Sequence, residues 1–119
     1  MSDQVSWLLE MKVNPGAADG FKSLMNEMVE ATRTNEPGTL NYEWSLGEDG
    51  TTCHLYECYA NSAATMTHLA SFGANFAERF LATVQPTRIA VYGNPDSQVR
   101  SALDPFGAVY MTPAAGFAR

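Results

Sequence analysis

A chain of 119 residues, 45% hydrophobic and 17% charged, is sized for one domain with a real core and a single site. Its formal charge of -6 and pI near 4.7, with only seven Lys and Arg spread along it, exclude the basic stripe that a nucleic-acid backbone requires. No run approaches the roughly eighteen unbroken apolar residues that span a bilayer. The start, MSDQVSW, lacks the basic segment and long apolar run of a secretory signal, so a cytoplasmic protein with no nucleic-acid or membrane partner is expected.

In chain order, residues 5–13, VSWLLEMKV, place Val5, Trp7, Leu9, Met11 and Val13 on one face of a first strand, which Asn14-Pro15-Gly16 stops. From Ala17 to about Asn35, Phe21, Leu24, Met25, Met28 and Val29 recur at the spacing of an amphipathic helix, and Glu36-Pro37-Gly38 ends it. TLNYEWSL alternates, with Leu40, Tyr42, Trp44 and Leu46 on one face of a second strand. Glu48-Asp49-Gly50 turns it into a third, TCHLYECYA. There Leu55, Glu57 and Tyr59 share one face, and His54, Tyr56 and Cys58 the other. Cys53 and Cys58 point to opposite faces with Cα atoms roughly 16 Å apart, so both are expected as free thiols.

Asn61 or Ser62 caps a second helix, along which Leu69, Phe72, Phe76 and Phe80 follow at spacings of three and four. Gly73 is expected to divide that helix, since glycine weakens a helix interior by about 1 kcal/mol relative to alanine. Pro86 reads as its end, TRIAVYG as a fourth strand, and Asn94-Pro95 as the close of that strand. A short capped helix, Asp96 to Leu103, leads through Pro105 and Gly107 to the apolar run AVYM, which should dock on something.

The order β-α-β-β-α-β predicts an α+β, ferredoxin-like fold, a four-stranded antiparallel sheet with two helices on one face. Residues 1–95 form this unit and residues 96–119 a C-terminal extension. The face bearing Leu8, His54, Tyr56 and Cys58 is too apolar to be left in water.

A carboxylate at Glu57, on the helix side of its strand, is costly unless paired, and either architecture or chemistry would account for it. His68 stands one position before Leu69, at the edge of the apolar stripe, where an imidazole serves as a base or simply caps the core. Tyr42 and Trp44 form an aromatic wall, and Tyr42 carries a hydroxyl that can donate to a ligand; Phe72 and Phe76 are core first and pocket lining second. His54 lies on the opposite face and cannot join His68 in a metal site. No other residues have metal-ligand spacing, and neither a phosphate-binding glycine loop nor Gly-x-Ser-x-Gly is present.

Three stretches together resemble the cofactor-independent antibiotic-biosynthesis and quinol monooxygenases of the dimeric α+β barrel group. They are Glu36-Pro37-Gly38 with the following LNYEW, the pair Glu57-x-Tyr59, and His68 followed by SFGANF. The family motif on strand three is usually Glu-x-Trp, so Tyr59 is a departure. The resemblance covers roughly residues 5 to 93. It implies a homodimer whose sheets pack face to face, a cleft between sheet and helices, and no metal, flavin or other cofactor. It further implies that a small aromatic substrate, a quinol, anthrone or related phenol, reacts with dioxygen itself. On this resemblance His68 is the catalytic base, and Trp44, Tyr42, Tyr59, Glu57, Phe72 and Phe76 hold the substrate, Glu57 being mainly architectural. Two other functions fit the same frame. One is a non-catalytic dimeric binding domain for a small aromatic metabolite. The other is a haem-degrading oxygenase, although such relatives typically carry an asparagine on strand one and a tryptophan at the position of Tyr59.

Overall fold

Strict alternation in VSWLLEMKV buries one face of strand β1 (Val5–Val13), and that strand sits in the middle of the sheet, flanked on both sides. The computed structural model describes residues 2–119. After β1 come helix α1 (Ala18–Asn35), strands β2 (Thr39–Leu46) and β3 (Thr52–Tyr59), helices α2 (Ser62–Asn75) and α3 (Ala77–Thr83), strand β4 (Val84–Gly93), helix α4 (Ser97–Leu103), a 3-10 turn (Asp104–Phe106) and strand β5 (Val109–Met111). The sheet order is β2-β3-β1-β4-β5; the first four strands pair antiparallel, and β5 runs parallel to β4. The expected ferredoxin-like α+β fold is present, with one more strand than the sequence pattern indicated.

That extra strand is the AVYM run, which docks on the chain's own sheet through Ala90, Val91 and Tyr92. Before it, the Asp96 side chain caps α4 by accepting from the Val99 N–H at 3.0 Å. Other local expectations change for identifiable reasons. Leu40 was expected beside Tyr42 and Trp44, but a bulge between Thr39 and Asn41 turns Leu40 outward and brings Thr39 to the helix side instead. The second helix breaks at Phe76, not Gly73; Phe76 leaves helical geometry (φ -130°) as its ring turns into the core. Pro86 lies inside β4, opposite Met11 at a register shift, and does not end the helix. Proline is tolerated there because β5 pairs only with the later half of β4, leaving Pro86 on a free sheet edge.

Two apolar clusters fill the space between sheet and helices. One gathers Met11, Phe21, Leu24, Met28, Cys53, Leu55, Phe76 and Phe80; the other gathers Val5, Trp7, Tyr59, Ile89, Val91, Val99 and Leu103. Leu9 packs against both, at the seam. Cys53 lies in the first cluster, Cys58 faces the other side of the sheet, and both are free thiols. On that outer side the register sets Tyr56, Leu8, Ala90 and Val109 in one row across the sheet, and Cys58, Ser6, Tyr92 and Met111 in the next. His54, Glu10 and Arg88 form a charged third row. Among the described residues no helix is long and apolar enough to cross a membrane.

Gly93, at the end of β4, has φ +92°, and an added Cβ would stand 2.3 Å from the carbonyl oxygen of Gln4. Gly93→Ala is therefore expected to cost about 2–3 kcal/mol, from backbone strain and from displacement of the start of β1. The urea midpoint should fall without loss of the folded baseline.

Candidate active site

Period two in β3 sends Glu57 inward, and the pairing of β1 with β3 sets Trp7 directly across from it. The Trp7 indole N–H donates to Glu57 Oε2 and the Tyr59 hydroxyl donates to Oε1. From above, α2 lowers His68 so that its Nε2 lies 3.2 Å from the same Oε1. The other ring nitrogen, Nδ1, is 2.7 Å from Glu36 Oε1, to which the Thr39 hydroxyl also donates at 3.0 Å. The imidazole is thus held edge-on between two buried carboxylates, one from the end of α1 and one from the sheet.

Local structure explains why Glu36 reaches it. Glu36 is the residue at which α1 stops, its N–H still donating to the Thr32 carbonyl, and Pro37-Gly38 turns the chain into β2. Gly38 has no side chain where one would meet the Cβ of Ala64 at 2.6 Å, so the start of α2 presses close against this turn. The Asn61 side chain caps α2 there, accepting from the Ala64 N–H at 2.8 Å. The bulge in β2 supplies Thr39. His68 was expected at the edge of the apolar stripe; instead it and Thr65 are the two buried residues of α2, with His68 only 5% exposed.

Electrostatics follow from this packing. Burial by itself would push the His68 ring toward its neutral form, but Glu57 and Glu36 outweigh burial and raise its pKa above 6.5. The neutral ring would set a nitrogen lone pair against one of the two carboxylates, and taking up a proton converts that repulsion into a hydrogen bond. Tyr59 and Tyr42 are both pushed well above the usual phenol range, first by burial and next by the Glu57 charge, so both stay neutral donors. The Tyr42 hydroxyl has no hydrogen-bond partner, and neither has the indole nitrogen of Trp44. Thr32 comes near the Tyr42 hydroxyl without completing a hydrogen bond.

A cavity of about 70 Å³ opens at the seam of the two apolar clusters. Trp7, Tyr42, Glu57 and His68 are the lining residues that carry polar groups; Leu9, Leu55, Leu69, Phe72, Phe80 and Ile89 are among its apolar walls. Of the residues singled out from the sequence, Tyr42, Glu57, His68 and Phe72 therefore meet in one place. Tyr59 stands behind Glu57 as its hydrogen-bond donor. Trp44 packs on Tyr42, Phe21 and Phe80, and Phe76 lies in the first core cluster. Sequence reasoning missed Trp7 and Glu36. Trp7 read as core because it lies on an apolar face, and Glu36 read as punctuation because it precedes Pro-Gly; only the need of a buried histidine for partners pointed toward either. Among the described residues no cluster of His, Cys, Asp and Glu has metal-site geometry.

The sequence model for antibiotic biosynthesis monooxygenase matches residues 5–86, a span that contains Glu36, Glu57 and His68. The chain belongs to that family. The fold is similar to that of MupZ from Pseudomonas fluorescens, with TM-score 0.86 and 22% identity over 99% of this chain and 96% of that one. Rv0793 from Mycobacterium tuberculosis is similar at TM-score 0.67 and 23% identity, covering 79% of this chain and 97% of that one. SnoaB from Streptomyces nogalater, a cofactor-independent oxygenase, is similar at TM-score 0.66 and 17% identity, covering 81% and 97%. No curated protein matches the sequence. The MupZ match covers nearly the whole of this chain, whereas the other two cover about four fifths of it.

Because the folded His68 pKa lies above its unfolded value, its contribution to stability is fully present below about pH 6.5 and is lost as pH rises through the folded pKa. The melting temperature of wild type relative to His68→Gln should accordingly decline as pH rises above about 6.5 and through the raised pKa. A difference that does not change with pH would mean that the ring is not protonated between its carboxylates.

Proposed function

We propose that the protein is a cofactor-independent monooxygenase that oxidises an electron-rich aromatic phenol, a quinol or an anthrone, with dioxygen. The observation that carries this reading is a base at the head of an otherwise apolar cavity: His68 between Glu36 and Glu57, with the unpartnered hydroxyl of Tyr42 beside it. Family membership supports the same reaction class, as does the likeness to SnoaB, described as a cofactor-independent oxygenase.

Such a substrate reacts with dioxygen once it has lost its phenolic proton, because the anion releases an electron far more readily than the neutral phenol. Above its raised pKa His68 is neutral with Nδ1–H donating to Glu36, so Nε2 has a free lone pair and takes that proton, and the imidazolium formed lies between two carboxylates. Tyr42 donates to the oxygen that carries the negative charge, which satisfies a hydroxyl that the protein leaves unpaired. Electron transfer to dioxygen and recombination at the activated carbon follow. For an anthrone the methylene becomes a carbonyl: one oxygen atom stays in the product, and the other leaves as water with the two methylene hydrogens. The apolar walls exclude the bulk water that would quench the charged intermediates. Glu57 and Glu36 are positioning residues that set the orientation and basicity of the ring.

On this proposal the active form is a homodimer that buries the outer rows of the sheet, with Val109 and Met111 of the tail at the edge of the interface. Tyr56, Tyr92, Val109 and Met111 are all exposed in the single chain, and with the half-buried Leu8 they make that side of the sheet apolar, Ala90 being covered by its neighbours. Sedimentation at micromolar concentration should give a dimer, and the double substitution Val109→Glu, Met111→Glu should weaken it. A folded wild-type monomer at that concentration would remove the dimer.

The catalytic test is oxygen uptake with a panel of quinols and anthrones. His68→Ala should lower turnover by about a hundredfold and also lower stability, since two buried carboxylates lose their partner. Glu57→Gln should lower thermal stability and move the pH at which turnover rises toward lower values, because the ring loses a carboxylate that raises its basicity. Wild type that consumes no oxygen with any of these substrates would overturn the reading in favour of a binding domain.

A further inference from the structure

We infer that α4 and the 3-10 turn after it form the end wall of the substrate site, and that Phe106 sets the size of the ring system admitted. The inference rests on the aromatic-substrate reading and deepens it. Leu103 and Phe106 line the same cavity as Glu57 and His68, although both lie beyond residue 86, where the family match ends. The site of this chain is therefore completed by a segment outside the family's common core.

Size is the reason that one wall must give way. The cavity is about 70 Å³, about half of the roughly 150 Å³ cavity known to take up benzene in a protein interior. No multi-ring phenol enters it as it stands. Most of its wall is fixed: Leu103 is 2% exposed within the second core cluster, and Trp7 is tied to Glu57. Of its exposed apolar residues Pro86 has a rigid ring, whereas two side chains on the rim can rotate, Leu81 of α3 at 45% exposure and Phe106 at 53%.

Phe106 differs from Leu81 in how its backbone is held. The Tyr110 hydroxyl donates to Asp104 Oδ1 at 2.6 Å and lies 3.2 Å from the Arg100 carbonyl oxygen, and the Arg100 guanidinium lies 4.2 Å from the centre of the Tyr110 ring. The Gly107 N–H closes the turn on the Asp104 carbonyl at 3.0 Å, in a left-handed conformation (φ +74°) suited to glycine. At the start of α4, the Asp96 N–H donates to the Ser62 hydroxyl at 3.0 Å, tying the segment to α2. The turn is thus anchored at both ends, while the ring at its tip is half in solvent and turns about its own side-chain bonds. Its swing lengthens the cavity toward solvent without moving the core, and the ring presents a flat face to an incoming aromatic.

The experiment measures equilibrium binding of 2-naphthol and 1,8-dihydroxyanthrone under nitrogen, by quenching of intrinsic fluorescence, for wild type, Phe106→Ala, Phe106→Trp and Leu81→Ala. Phe106→Ala should raise the preference for the three-ring over the two-ring ligand by about tenfold, and Phe106→Trp should lower it by a similar factor. Phe106 is half exposed, so both variants should melt close to wild type. Ratios within about threefold of wild type for both variants overturn the assignment, as does a shift produced by Leu81→Ala alone or a failure of both ligands to bind any of the proteins. Because binding is read without oxygen, wild type that binds yet consumes no oxygen on aeration defeats the oxygenase reading and leaves the role of Phe106 standing.

Discussion

Glu57 accepts from two side chains and faces a third, and the arrangement of the site depends on it. The indole of Trp7, the hydroxyl of Tyr59 and the imidazole of His68 converge on one carboxylate that is almost fully buried. Removing such a group from water costs several kcal/mol, and hydrogen bonds to a charged acceptor return about 1.5–3 kcal/mol each. Two of them, with the charge of a protonated His68 beside them, offset the penalty; one would not. The consequence is geometric: once Glu57 is satisfied, the neighbouring strands β1 and β3 and the helix α2 have little freedom to slide relative to one another, because any shift leaves a buried charge short of a donor.

The same constraint makes His68 more basic, although burial alone works the other way. A lone imidazole in an apolar interior loses basicity, whereas two carboxylates on its opposite edges restore it and push it further. Glu36 belongs to a helix end and Glu57 to the sheet floor, so the basicity of the ring records how closely the helix layer sits on the sheet. Gly38 and the bulge at Leu40 serve that distance, one by letting α2 approach the turn and the other by rotating Thr39 toward Glu36. Tyr42 stands apart from this network. It lines the cavity with a buried hydroxyl that nothing in the chain satisfies, which is the arrangement expected of a group reserved for a ligand.

The C-terminal extension connects the two faces of the molecule. On the inner side, Val99 and Leu103 complete the second core cluster, and Leu103 with Phe106 closes the cavity. On the outer side, β5 continues the apolar rows begun by Leu8, Tyr56 and Tyr92. A short parallel strand with only three paired residues is a weak element by itself. It holds here because the Tyr110 ring packs against the second cluster and its hydroxyl reaches the α4 segment.

The sequence by itself determined the elements and the faces. Alternation in β1 and β3, the helical stripe from Phe21 to Val29 and the Asn61 and Asp96 caps are local patterns, each readable within one or two turns of chain. They sufficed to place Glu57 inward, to separate Cys53 from Cys58 and to order the strands as a split βαβ unit. Tertiary structure decided everything that depends on approach between distant segments. Trp7 meets Glu57 across fifty positions and Glu36 meets His68 across thirty-two, and neither pair has a signature in spacing. The same holds for the outward turn of Leu40, the break at Phe76 and the fate of the tail. A bulge, a helix break or a parallel edge strand forms when packing elsewhere rewards it, and that reward is a property of the assembled layers, not of the few residues that yield to it.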